Sequence, residues 1–136
     1  MLNEPCWITA EGVIQINKDI LSEGERHVLR DQDLLESACH RPKHAWALIC
    51  EDDVATLATL LAFGIAKNHP FEQGNKRTAF AAMVGFLAIN GFALRLRDDT
   101  ACSSAMLAVI VGQETEEQFA DSLRRVIEMD DPREWV

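Results

Sequence analysis

His69-Pro70-Phe71-Glu72-Gln73-Gly74-Asn75-Lys76-Arg77-Thr78 puts a histidine, a turn, a Gly-Asn pair and two cations directly before an apolar run. Pro70 biases His69 away from the helical region, so the preceding helix is predicted to end near Asn68, with His69 on a loop. A helix start carries partial positive charge on its unpaired N–H groups and normally attracts Asp and Glu. Lys76 and Arg77 in such a first turn oppose the macrodipole unless an anion sits among them. Free N–H groups around Gly74 and Asn75, with an ammonium and a guanidinium, would form a phosphate cradle. An imidazole a few residues upstream could then take a proton from an attacking hydroxyl.

Outward from this loop the pattern predicts an all-α bundle. Asp52 or Asp53 opens a helix to about Lys67, with Val54, Leu57, Leu60, Leu61, Phe63 and Ile65 covering almost its whole surface. After the loop, residues 78–90 are again apolar on most faces, and Gly91 fits the position just past a helix end. The loop therefore lies between two central buried helices, which would hold it rigidly. Upstream, Thr9 is a candidate N-cap for a helix carrying Val13, Ile16, Ile20 and Leu21 and ended by Gly24. Asp31 or Asp33 caps a second helix with Leu34, Leu35 and Ala38, which Arg41-Pro42 is expected to stop. Residues 43–51 read as an irregular connector. Downstream, residues 92–97 suggest a short extended piece. Helices over about 100–112 and 115–129 follow, the latter with Glu117, Asp121 and Glu128 outward and Phe119, Leu123, Val126 and Ile127 inward.

Composition narrows the function. The 136 residues suit one domain, spanning 1–136. A formal charge of −9 leaves no basic stripe to displace counterions from duplex nucleic acid, so no nucleic acid is expected to bind directly. Lys67, Lys76 and Arg77 stand out from that background as a positive spot. Late acidic residues from Glu114 to Asp131 read as a solvated helix face. Cys6, Cys39, Cys50 and Cys102 lack zinc-site spacing and read as free buried thiols in a reducing cytoplasm. No secretory signal is evident at the start. The uncharged run over residues 78–94 holds Asn90 and Gly91 and is short for a bilayer, so no membrane is expected. His27, His40 and His44 are assigned to structural hydrogen bonding, Trp46 to packing, and Phe71 to a core anchor that pins the loop.

The motif His-Pro-Phe-x-x-Gly-Asn-Lys-Arg-Thr resembles the active-site motif of the Fic/Doc (Fido) superfamily, and Lys76 in place of a second glycine resembles the Doc, or death-on-curing, branch. The flanks agree: Leu29-Arg30-Asp31, Leu34-Leu35-Glu36-Ser37-Ala38, Arg41-Pro42, the run from Phe63 to Asn68, Phe86-Leu87 and Asn90-Gly91. The resemblance covers about residues 9–128, the core of the domain, and implies a Fido-type helical bundle that transfers a phosphate-containing group from a nucleotide to a protein hydroxyl. For the Doc branch it implies a kinase-like toxin that uses ATP and Mg²⁺, phosphorylates a translation elongation factor and is neutralised by a Phd-type antitoxin. Carried onto this chain, His69 would be the general base and Phe71 the buried anchor. Gly74 and Asn75 would bind phosphate through backbone and side chain, and Lys76 and Arg77 would neutralise its charge. Phe80 stands where many AMP-transferring members have a further arginine.

One position departs from the pattern. The residue before the glycine is usually an Asp or Glu that helps hold Mg²⁺; here it is Gln73, with Glu72 one place earlier. Glutamine offers a carbonyl oxygen without charge, whereas Mg²⁺ favours carboxylates and phosphate oxygens. AMP transfer, and a catalytically weak protein acting through its antitoxin, are the two competing readings.

Overall fold

The computed structural model describes residues 3–95 and 99–129, apart from the side chains of residues 99–103 and 129. Helices α1 (Ala10–Ile20), α2 (Gln32–Ile49), α3 (Val54–Asn68) and α4 (Asn75–Ile89) are followed by a short strand, β1 (Phe92–Leu94). Helices α5 (Asp99–Ile110) and α6 (Glu116–Val126) and a second strand, β2 (Ile127–Met129), complete the described elements. The helical bundle expected from the apolar periodicity is present. Its centre is α3, packed between α2 and α4, with α6 across it. Leu57, Leu61, Phe63 and Ile65 of α3 and Met83, Phe86 and Leu87 of α4 are fully or almost fully buried. Each such side chain contributes about 1.5–3 kcal/mol when taken from water. Phe63 meets Phe119 of α6 edge-on at 5.0 Å, and Phe86 stacks on Trp7 at 5.9 Å, with Trp46 against Trp7 at 6.5 Å.

Side-chain caps fix the starts of α1, α2, α3 and α6. The Thr9 hydroxyl accepts the Gly12 N–H, and the Asp31 and Asp53 carboxylates accept those of Leu34 and Thr56. Thr115 and Gln118 form a reciprocal capping box on α6.

Two expectations about the elements are corrected here. Pro42 does not stop α2, and residues 43–51 are not an irregular connector: the helix runs on to Ile49, closed by Cys50 in the left-handed region. Proline removes the helical N–H that would bond to the Ala38 carbonyl, but that oxygen lies against α3 at Gly64. An ideal Cβ on Gly64 would stand 3.1 Å from Ala38 Cα and 3.2 Å from Ala38 O. The buried proline ring and this close helix crossing hold the chain helical where local preference would end it. Arg41 adds a guanidinium bond to the Leu60 carbonyl at 3.2 Å.

The second correction concerns residues 127–129, which form β2, antiparallel to β1 with Phe92 opposite Met129 and Leu94 opposite Ile127. Unpaired N–H and C=O groups of β1 recruit them out of α6. Cys6 and Cys50 are exposed, contrary to the buried-thiol reading. Cys39 is half-buried, and burial pushes its thiol up to about 11. The side chain of Cys102, with Asp130 and Asp131, lies outside the described residues. No described helix is long and apolar enough to cross a membrane.

Gly64→Val tests the helix crossing. The added branched side chain meets backbone, not a movable side-chain end, so stability in urea should fall by about 1–3 kcal/mol. An unchanged denaturation midpoint would show that α2 and α3 are not held at this contact.

Candidate active site

The loop begins where α3 closes on His69. This residue takes φ 49°, ψ 56°, and its N–H bonds to the Ile65 carbonyl at 3.3 Å, so an exposed imidazole sits at the left-handed cap of a buried helix. Such a conformation is uncommon outside glycine and persists only when the surroundings fix it.

The surroundings are an antiparallel pairing with the segment that leads into α2. The Pro70 carbonyl accepts the N–H groups of Arg30 and Asp31 at 2.8 and 3.2 Å, and the Glu72 N–H bonds to the Val28 carbonyl at 2.9 Å. Leu29 and Phe71 form the bridge between them, and the Phe71 side chain is fully buried, as an anchor requires.

The side chain of Asn75 turns inward. Its Oδ1 accepts the Phe71 N–H at 3.0 Å and its Nδ2 donates to the Phe71 carbonyl at 2.8 Å. The expected phosphate contact through this side chain is therefore not what the geometry offers; the Asn75 backbone N–H is. Asn75 Nδ2 also lies 3.5 Å from His69 Nδ1, too long to fix a tautomer.

Gly74 is the N-cap of α4 at φ 77°, and no side chain caps this helix, unlike α1, α2, α3 and α6. Gly74 suits its left-handed conformation, and a Cβ there would lie 2.9 Å from Leu21 Cδ2, a side-chain end that would have to shift. The first-turn N–H groups, with Lys76 and Arg77 exposed beside them, face no acid on their own helix. Lys76, Arg77 and Phe80 line a cleft of about 480 Å³ with Ile20, Ala81, Met106 and Leu107. It joins apolar walls to two cations, a combination that can take a flat ring and a phosphate chain.

The positive spot read from the sequence is not one cluster. Lys67 is drawn to Glu116 at 3.0 Å, beside Arg41 at 3.1 Å from the same carboxylate. Arg77 makes a bidentate pair with Glu25, Nη1 to Oε1 at 2.8 Å and Nη2 to Oε2 at 2.6 Å, and Nη1 also donates to Ser22 Oγ at 3.2 Å. The Arg77 hydrogen bond holds the Glu25 carboxyl down at about 2. In this state the guanidinium already has its anion.

Gln73 and Glu72 are the two candidates for the metal. The Gln73 side-chain carbonyl accepts the Arg26 N–H at 3.2 Å and its backbone carbonyl accepts Asn17 Nδ2 at 3.0 Å. Glu72 is exposed. Among the described residues no group of three or more His, Cys, Asp or Glu is placed to hold an ion. The donor set fits Mg²⁺ only as a single carboxylate completed by phosphate oxygens, with Glu72 the better ligand by charge.

A family model described as the Fic/DOC family matches residues 7–87, more than half of the chain and the whole of the loop just described. The chain belongs to the Fic/Doc family. It is also similar to a protein named Toxin Doc from Mycolicibacterium smegmatis (strain ATCC 700084 / mc(2)155), 39% identical over 67 residues, 48% of this chain. The match spans about half of that relative, 52% of its length. In this Fic/Doc chain the sequence reading missed Glu25 and Asn17 as parts of the site, while His27 makes the structural hydrogen bond assigned to it, to Asn17 Oδ1 at 2.7 Å. Asn17 left a signal, a polar residue on the apolar stripe of Val13 and Ile20. The pairing of Glu25 with Arg77, 52 positions apart, left none.

Carbon-13 NMR titration should find the Glu25 carboxyl titrating near pH 2. Because its folded value is depressed, its contribution to stability is complete above the unfolded carboxylate value of about 4.3 and is lost as pH falls toward the folded one. Arg77→Ala should return the midpoint to within about one unit of 4.3. A wild-type midpoint already in that range would show the pair is not formed in solution.

Proposed function

We propose that this chain is a Doc-type transferase and toxin that passes the γ-phosphoryl group of ATP to a hydroxyl of a protein substrate, a translation elongation factor, in the cytoplasm. The observation that carries the reading is the uncapped start of α4, with Lys76 and Arg77 in its first turn and His69 held at the left-handed cap just before the loop. Membership of the Fic/Doc family and the similarity to Toxin Doc support it. His69 takes the proton of the attacking hydroxyl as the new O–P bond forms, and the bond to the β–γ bridging oxygen breaks, releasing ADP. The N–H groups of Gly74, Asn75 and Lys76 and the cations of Lys76 and Arg77 bear the phosphate charge. Arg77 does so by exchanging Glu25 for phosphate. Mg²⁺, held by Glu72 and the nucleotide, with Gln73 as a second and weaker candidate, would neutralise further charge. A Phd-type antitoxin is the proposed partner.

Purified protein incubated with ATP, Mg²⁺ and cell lysate should add the mass of one phosphate to a single translation factor. Addition of one AMP would establish the adenylyl-transfer reading instead, and no adduct would overturn both.

His69→Ala should lower the transfer rate by about 10²–10⁴-fold with no change in melting temperature. Transfer at the wild-type rate would remove His69 from the chemistry.

Gln73→Glu should lower the Mg²⁺ concentration for half-maximal transfer, since it adds a charge beside the phosphate site. Glu72→Ala should raise it. A Mg²⁺ requirement unmoved by either substitution would show that neither side chain meets the ion.

A further inference from the structure

We propose that Asn17, oriented by His27, is the positioning residue that aims the first-turn N–H groups of α4 outward; the inference rests on reading that helix start as the phosphate site. Asn17 is fully buried on α1, where an unpartnered carboxamide would be costly. Its Nδ2 donates to the Gln73 carbonyl and to Thr78 Oγ1, both at 3.0 Å, and its Oδ1 lies 2.7 Å from His27 Nδ1. The orientation follows from the partners. The Gln73 carbonyl can only accept, so Nδ2 must face it; Oδ1 then faces His27, whose Nδ1 must carry the hydrogen.

The partners straddle the cap glycine. Gln73 precedes Gly74, and the Thr78 N–H closes the first turn of α4 on the Gly74 carbonyl at 2.8 Å. In a trans peptide the carbonyl and the following N–H point in opposite directions. By drawing the Gln73 carbonyl inward, Asn17 turns the Gly74 N–H away from the core, in line with the free amides that follow. An ideal Cβ on Gly74 would lie 3.4 Å from Asn17 Nδ2, in van der Waals contact, so the carboxamide sits directly against the cap residue. The His27 ring also lies against Phe71, with centroids 5.6 Å apart, so one imidazole braces both the carboxamide and the buried anchor. Asn17 touches no ligand; it acts through Gln73 and Thr78.

Three variants test this: Asn17→Leu, which keeps volume and removes all polar contacts; His27→Phe, which keeps the ring on Phe71 and removes the donor; and His27→Gln, whose amide can donate to Oδ1. Amide exchange should rise about 10-fold at Thr78 in the first two, with Leu61 in the middle of α3 unchanged, because a buried hydrogen-bonding group is left without its partner. ATP affinity by calorimetry should fall about 10-fold in the same two variants. His27→Gln should recover most of both losses. Unchanged exchange at Thr78, or an equal rise at Leu61, would overturn the proposal and leave Asn17 a core residue of general stability. If Asn17→Leu does not fold, His27→Phe decides by the same criteria. Wild-type protein that binds no ATP, with Thr78 still loosened selectively in the variants, would overturn the phosphate reading alone and uphold the positioning of the loop.

Discussion

The two hydrogen bonds between the Asn75 carboxamide and the Phe71 peptide hold the site together. They close a short ring across the loop, and Phe71 is itself sealed in the core. Every other feature of the loop follows from that closure. The chain must leave α3 through a left-handed residue, His69, and enter α4 through a second one, Gly74. A loop so constrained has few alternative conformations, so little ordering entropy remains to be lost when a ligand arrives. The pairing of residues 70–72 with residues 28–31 ties the ring to the start of α2, which itself crosses α3 at Gly64. The site inherits its rigidity from the helix crossing.

The charge of Arg77 is already balanced by an acid of the same chain. Glu25 fills the fork of Arg77, and the turn that carries Glu25 is itself held by the Glu25 N–H bond to the Ser22 carbonyl. The pair is exposed, so water and salt screen it. In the proposed function a phosphate chain would differ from Glu25 in its larger charge and in meeting the free N–H groups and Lys76 as well as the guanidinium. The proposed exchange of one anion for another at Arg77 would depend on contacts that only the larger anion can make, a route to selectivity for polyphosphate over a lone carboxylate.

Much of this was legible in the sequence where the signal is local. Thr9, Asp31 and Asp53 each cap the helix assigned to them, Pro70 and His69 end α3 as expected, and the apolar surround of α3 marks the centre of the bundle. Pro42 misled because its local rule was overridden from elsewhere: the carbonyl it frees rests on Gly64, a residue 22 positions away in the sequence. Residues 127–129 misled for a related reason, since their helical pattern continues from α6 while β1 offers backbone partners that no pattern in the chain announces. The loop residues were identified, but not the direction of their side chains. Asn75 faces inward and Arg77 faces Glu25, and both facts depend on partners supplied by distant segments.

The start of α4 is where this fold sets local stability against function. Four other helices take a Ser/Thr/Asp-type cap, each worth about 1 kcal/mol against alanine, and the acids at those starts agree with the macrodipole. α4 takes glycine, no side-chain cap and two cations in its first turn. Glycine at the cap costs only a few tenths of a kcal/mol relative to the best residues, but the cations add an unfavourable interaction that falls off within one turn. That deficit is tolerable because the turn is not held by its own cap. Phe71, Thr78 and Ala79 are buried around it, and Asn17 and Asn75 tie it down from the side and from beneath through Gln73, Thr78 and Phe71, without accepting the first-turn N–H groups that a capping residue would have taken. Moving the support off the helix axis is what leaves the axis open to an anion. A serine or aspartate at position 74 would restore the cap only by occupying that opening, and would be strained at the φ of 77° that the chain takes there.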